Sequence, residues 1–340
     1  MPFGAYRIAK RIASAQKTGT YERKKGMQNR YMPEGGLSGT AENREYISSD
    51  QGLERAMLLG KILESTALLC DGNMDLHIDL RGARGVIERS EVCYNPSGAP
   101  VKDIAVITRV GKPVCFKVVG IREDSFGRCY RLSRREAQLE CMRNYLCDLI
   151  PGDVISAKVT HLEPFGAFVD IGCGISSLLS VDCISVSRIA HPRDRLFCGM
   201  PIRCVVRSVD ENSKRIYVSM RELLGTWEEN ASAFETGQTV AGIVRSIENY
   251  GVFVELTPNL AGLAELKDRS AGIVTGKTAA VYIKNIIPDR MKVKLAIIDI
   301  SDEPCVPSRE LKYFVGENVL HIDRWRYSPP GATKLIESTF

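Results

Sequence analysis

The sequence predicts a mainly β protein: three tandem five-stranded barrels joined by short helices, the first barrel degenerate. Three observations carry that prediction. A unit opening at Pro151-Gly152-Asp-Val recurs at Thr236-Gly237-Gln-Thr-Val, 85 residues on, and the same offset carries Gly166 onto Gly251 and Phe168 onto Phe253. Each unit divides into five short alternating runs separated by turns, the spacing of a small closed barrel. Between units, Ser133-Arg-Arg-Glu136 and Ser219-Met-Arg-Glu222 stand at the same point of the repeat and have the form of a helix capping box.

In chain order, residues 1–50 are rich in Gly, Lys, Arg, Ser and Asn with little periodicity, and read as a basic, disordered extension. Tyr31-Met-Pro-Glu-Gly-Gly reads as the beginning of something new, with Met32 a candidate start. Residues 51–132 form a worn first copy. Gly60-Lys-Ile-Leu matches the opening strand, Gly85-Val-Ile-Glu88 the third, and Gly111 to Val119 the fourth, while Asn73 and Leu76 fall where the later copies have aromatics. A linker helix follows at 133–149, with Leu139, Met142, Leu146 and Leu149 at helical spacing. The second barrel spans 150–219, a second linker helix 220–234, and the third barrel 235–300. The connectors read equally as stiff spacers or as plugs of their own barrels. Residues 301–340 are a tail with one strand candidate, Val319 to Tyr327, expected to dock on the third barrel.

Composition narrows the function. No run of about 18 apolar residues is present, so no membrane helix is expected, and the N-terminus lacks the apolar stretch of a secretory signal. The eleven cysteines include no Cys-x-x-Cys, and most sit in apolar strands, which suits buried thiols in a reducing cytoplasm better than disulfides or a metal site. The net charge of +5 is uneven: residues 1–31 hold eight basic residues and one acid (+7), leaving 38 basic against 40 acidic residues (−2) in the body. A nucleic-acid surface on the body must therefore be local. There is no P-loop, no Gly-x-Ser-x-Gly, no metal-spaced His or Cys set and only four histidines, so neither catalysis nor a cofactor is expected.

The aromatic spacing carries the chemistry. Phe165 and Phe168 flank Gly166, as Tyr250 and Phe253 flank Gly251. Side chains at i and i+3 of an unbroken strand face opposite ways, but a bulge at the glycine would reset the alternation and put both rings on one face. A lone aromatic in a barrel is more often core. Recurrence at a fixed offset favours instead a platform on which bases stack. Arg188, Arg193 and Arg195 in the long loop, with Lys214 and Arg215 in the closing turn, are candidate phosphate contacts of the second barrel, and His161 a polar one. Arg245 and Lys284 are the corresponding candidates of the third.

Copies two and three resemble the S-one domain of bacterial ribosomal proteins. Its pattern is an opening Gly-x-Val strand, Phe-Gly-Ala-Phe-Val, a Gly-Leu-Val-His box, and a closing Asp with a basic residue before a Leu-Ser strand. Phe165-Gly-Ala-Phe-Val169 is that motif, and Val209-Asp210 with Lys214 and Arg215 stands at the closing pair. From about residue 32 the chain resembles the shortened small-subunit ribosomal protein homologues of clostridia-like bacteria. The resemblance implies a monomeric, cytoplasmic protein that binds single-stranded RNA, including mRNA, at the small ribosomal subunit during translation. Ser180 and Glu265 occupy the family's histidine position in copies two and three, which implies stronger binding by the second barrel than by the third. The alternative is a protein-contact scaffold or cofactor in transcription or RNA decay, favoured by the acidic body and the worn first copy.

Overall fold

The computed structural model describes residues 22–95, 98–125, 127–210, 215–265, 273–304 and 311–340. It contains three closed five-stranded barrels and divides into two compact units, Met1–Leu149 with Asp170–Ser176, and Ile150–Val169 with Ser177–Phe340. No helix among the described residues is long and apolar enough to cross a membrane.

The first unit holds a helical stretch over 22–30 and helices α1 (Ala41–Ile47) and α2 (Asp50–Leu59). The first barrel consists of β1 (Leu63–Cys70), β2 (Leu76–Leu80), β3 (Ala83–Ile87), β4 (Pro113–Asp124) and β5 (Gly127–Ser133), with α3 (Asp103–Ile107) before β4. Its strands close in the order β1-β2-β3-β5-β4 around Leu63, Leu76, Phe116, Tyr130 and Leu132. α4 (Arg134–Asn144) follows, capped by Ser133, whose hydroxyl accepts the Glu136 amide at 2.9 Å.

Residues 31–50 are ordered, against the expectation of a disordered extension. Glu34 is buried and pairs with Arg134 through Nε at 2.6 Å and Nη2 at 3.0 Å. The buried Glu64 carboxylate accepts the amides of Gly35 and Ser38 at 2.9 and 3.2 Å. Composition reads polar residues as solvated, but here each satisfies a buried charge some thirty to a hundred positions away.

In the second unit, barrel two is β6 (Val154–Glu163), β7 (Gly166–Asp170), β8 (Ser176–Ser180), β9 (Pro201–Val209) and β10 (Ile216–Ser219). Barrel three is β11 (Thr239–Glu248), β12 (Gly251–Thr257), β13 (Leu260–Ala264), β14 (Lys277–Ile287) and β15 (Lys292–Pro304), whose last strand runs four residues past the expected boundary at 300. The connector is not the helix expected over 220–234. It is a 3-10 turn at Arg221–Leu223 and a short helix α5 (Trp227–Ala231). Ser219 hydrogen-bonds the Glu222 carboxylate and the Cys183 carbonyl rather than capping a helix, and Gly225 at φ +87° interrupts the run. The cap is Thr226, which accepts the Glu229 amide at 3.2 Å while Glu229 Oε2 accepts the Thr226 amide at 2.7 Å.

The tail, expected on the third barrel, binds both barrels of this unit. Arg203 of β9 donates to the Val315 carbonyl at 2.7 Å, and Val154 to the Leu320 carbonyl at 2.9 Å. The chain then crosses α5, where Trp227 donates to the Tyr327 carbonyl, and the Tyr327 hydroxyl reaches the Asn259 carbonyl at 2.5 Å. A two-stranded ribbon, β16 (Arg324–Arg326) with β17 (Glu337–Thr339), finishes it.

Candidate nucleic-acid interface

Phe165 lies in the two-residue turn between β6 and β7, and Phe168 in the middle of β7, where Ala167 and Val169 point into the barrel. The rings meet edge to face, centroids 6.0 Å apart at 89°. Tyr250 and Phe253 repeat the arrangement at 6.2 Å and 90°. Phe165 is 56% exposed and Tyr250 65%, so in each pair an outer ring presents an open face while the inner one is half-buried.

The expected bulge at the glycine is not how the rings come together. The outer ring belongs to the hairpin turn, ahead of the strand, and the bulge of this hairpin lies on the partner strand at Arg245, between Val244 and Ser246. The glycines serve close approach instead. A Cβ on Gly166 would stand 2.5 Å from the Leu179 carbonyl oxygen, and one on Gly251 would stand 2.6 Å from that of Ala264. Val181 donates to the Phe165 carbonyl at 3.0 Å, tying the turn to the end of β8. Ser180 is therefore adjacent to the turn, half-buried and without a capping bond from its side chain.

Strand register extends each platform into a row across the outer face. In barrel three, Ser246 stands opposite Phe253, Phe253 opposite Leu263, and Leu263 opposite Lys294. In barrel two His161 stacks on Phe168 at 6.5 Å and 28°, and Leu178 stands opposite Tyr217. His161 is 63% exposed, with Nε2 2.8 Å from Glu163 Oε1. Lys294 and Tyr217 complete the rows and did not emerge from motif matching. Strand alternation was the available signal, since both sit between inward-facing neighbours.

Barrel one shows where sequence matching slipped. Leu76 is fully buried, and the residue paired with Leu69 and Val86 is His77. His77, not Leu76, thus occupies the inner aromatic position; the Asp71–Asp75 turn shifts the register by one. Its Nε2 lies 3.0 Å from Asp71, whose carboxyl is held below its usual range by that hydrogen bond. Val86 beside it is buried, so this row offers no open stacking face.

The expected cations separate into two sets. Arg188, Arg193 and Arg215 are exposed. Lys214 lies outside the described residues. Arg195 is only 5% exposed and holds Glu255 of β12 through both guanidinium ends, at 3.0 and 2.8 Å. Arg245 donates to the same carboxylate at 2.8 Å. Lys284 stands 3.3 Å from Glu265. Arg195 packs the barrel-two loop against barrel three and Arg245 shares its carboxylate from within barrel three, so neither is a surface cation: a guanidinium buried against a carboxylate is not presented to a phosphate.

The family model of the S1 RNA binding domain matches residues 148–221. Small ribosomal subunit protein bS1 of Rhizobium meliloti is 24% identical over 237 residues, covering 67% of this chain and 41% of its own length. The bS1 homolog of Bacillus cereus is 28% identical over 266 residues, 76% of this chain and 64% of its own. A multidomain protein with nucleic acid binding domains from Streptococcus pneumoniae is 15% identical, with a TM-score of 0.24 over 72% of this chain and 75% of that one. The chain thus spans 41% to 64% of the two curated relatives. Residues 148–221 are thus an S1 RNA binding domain, and over 67% to 76% of its length the chain is similar to bacterial bS1 small ribosomal subunit proteins.

Proposed function

We propose that the protein binds single-stranded RNA, mRNA included, at the small ribosomal subunit in translation, as a cytoplasmic monomer and without catalysis. The observation that carries this reading is the edge-to-face pair Phe165–Phe168 on the outer face of the matched domain, repeated by Tyr250–Phe253. Every base has a π-face, so a ring pair of this kind takes single strands with little regard to sequence. Phe165 and Phe168 stack bases, His161 and Ser180 contact the same nucleotides, and Arg188 with Arg215 neutralises phosphates. Barrel three is the weaker platform, because Glu265 holds Lys284. Barrel one suits protein contact: Leu68, Leu69, Ile104 and Ile107 are exposed there, and its row lacks an open ring.

The test is titration of the full chain with an unstructured ~12-nucleotide RNA at several salt concentrations, a length on the scale of one such site. Phe165→Ala with Phe168→Ala should weaken binding about 30-fold or more, since each stacked base contributes roughly 1–3 kcal/mol. Unchanged affinity in that double variant would overturn the stacking assignment. Co-sedimentation with small subunits tests the ribosomal part separately.

A further inference from the structure

We infer that the stacking site of barrel three is a shared one, whose phosphate-contacting cation, Arg193, comes from the long loop of barrel two. The inference rests on the RNA-binding reading above and goes beyond it in saying how the two barrels divide one site.

The path of the loop is the first observation. After β8, Val186 donates to Asn259 Oδ1 at 2.9 Å and Ser187 to the Pro258 carbonyl at 3.2 Å, at the far end of β12. Eight residues after Ser187, Arg195 grips Glu255, and Asp194 Oδ2 lies 3.8 Å from Arg245 of β11. Between these contacts the loop runs back along β12 from Asn259 toward Phe253. Val252 and Val254 point into the barrel, so Phe253 and Glu255 share its outer face, about 7 Å apart along the strand. Glu255 is 4% exposed although it faces outward, because the loop lies on it. Arg245, in turn, immediately precedes Ser246, the residue paired with Phe253. Asp194 and Arg195 therefore touch both strands that carry the Tyr250–Phe253 platform.

The second observation is which cations there are free. Two of barrel three's cations are engaged, Arg245 by Glu255 and Lys284 by Glu265, and its exposed Lys294 stands on the other side of Phe253 from Arg245, beyond Leu263. Arg193, next in the chain to Asp194, is exposed and has no carboxylate partner among the described residues. It sits in a 3-10 turn, Pro192–Asp194, closed by a reciprocal cap between His191 and Asp194. Its Nε lies 3.2 Å from His191 Nδ1, which also accepts the Arg193 amide at 3.1 Å. A guanidinium held on a rigid turn, neighbour to residues anchored beside an aromatic pair, is placed for the phosphate of a base stacked on that pair. His191 is its positioning residue.

The test is a set of double-variant cycles on the full chain, read by titration with the same ~12-nucleotide RNA. Arg193→Ala should weaken binding about 3- to 10-fold and flatten the logarithmic salt dependence by about 0.7, the slope for one phosphate on a single strand. Arg193→Lys should retain the salt slope. With Tyr250→Ala and Phe253→Ala already present, Arg193→Ala should change affinity less than twofold; with Phe165→Ala and Phe168→Ala present, its effect should persist. If the effect survives loss of the barrel-three pair, or vanishes with loss of the barrel-two pair, Arg193 serves the other platform and the inference is wrong. No effect in the parent chain overturns it equally. Should the parent chain bind no single strand at all, the RNA-binding reading fails with it, and that result is distinct from binding without coupling.

Discussion

At the scale of single residues, one glycine and one carboxylate do what their neighbours cannot. Gly166 lies under the Leu179 carbonyl, so Gly166→Ala forces the β7 turn away from β8. Overpacking of this kind costs about 1–3 kcal/mol, so thermal denaturation should show a lower midpoint, and RNA affinity should fall because Phe165 moves with the turn. Glu255 is different in kind. It answers two guanidiniums, and Arg195 Nε is buried without another partner among the described residues. Glu255→Ala leaves Arg195 as an uncompensated buried charge and should destabilise the unit by about 3–5 kcal/mol in urea unfolding. The motif gave no hint of this role, since Glu255 reads as an ordinary outward-facing strand residue.

Among the elements, the connectors separate sequence signature from outcome. Both Ser-x-x-Glu stretches satisfy the capping-box pattern, yet only Ser133 caps a helix. At Ser219 the carboxylate three residues on takes the hydroxyl itself, and the helix begins at Thr226. Thr226→Ala should therefore cost about 1 kcal/mol, the usual value of an N-cap, measured as a shift in denaturant midpoint. The hairpins make a similar point. Fixed spacing of aromatics about a glycine was enough to put both rings on one face, but the turn does it rather than a bulge. In barrel one the register is longer by one residue, which brings His77 into the row and turns Leu76 inward.

At the scale of the whole molecule, each compact unit is held by residues distant in sequence. In the first unit Asp170 accepts the amides of Glu34, Gly172 and Gly174 at 2.7, 2.8 and 3.0 Å, near the Glu34–Arg134 pair. Burial, and then the Glu34 carboxylate, raise its carboxyl to about 7 against those amides. A carboxyl raised on folding binds more protons folded than unfolded, so its contribution is fully present below about pH 4 and is lost as pH rises to about 7. Melting the parent chain between pH 5 and 8 should show stability falling with pH over that window, and Asp170→Asn should flatten the fall. In the second unit the tail joins the barrels through Arg203, Leu320, Tyr327 and Ser338. Removing residues 311–340 should lower the unfolding midpoint of this unit and expose the Trp227 surface, read as a red shift in tryptophan emission.

The sequence by itself determined the three-barrel repeat and the ring pairs, because a period of two along strands and an 85-residue offset are local or self-referential patterns. Closure of each barrel follows from that same pattern. Tertiary structure alone decided which charges are available. Arg193 and Arg195 stand two apart in one loop, and nothing in their spacing separates an exposed guanidinium from one buried against Glu255. The order of residues 31–50 was hidden for the same reason: Glu34 and Glu64 are stabilised by partners far along the chain. Whether a charge meets water or an opposite charge depends on which strand the fold brings beside it, and composition carries no record of that.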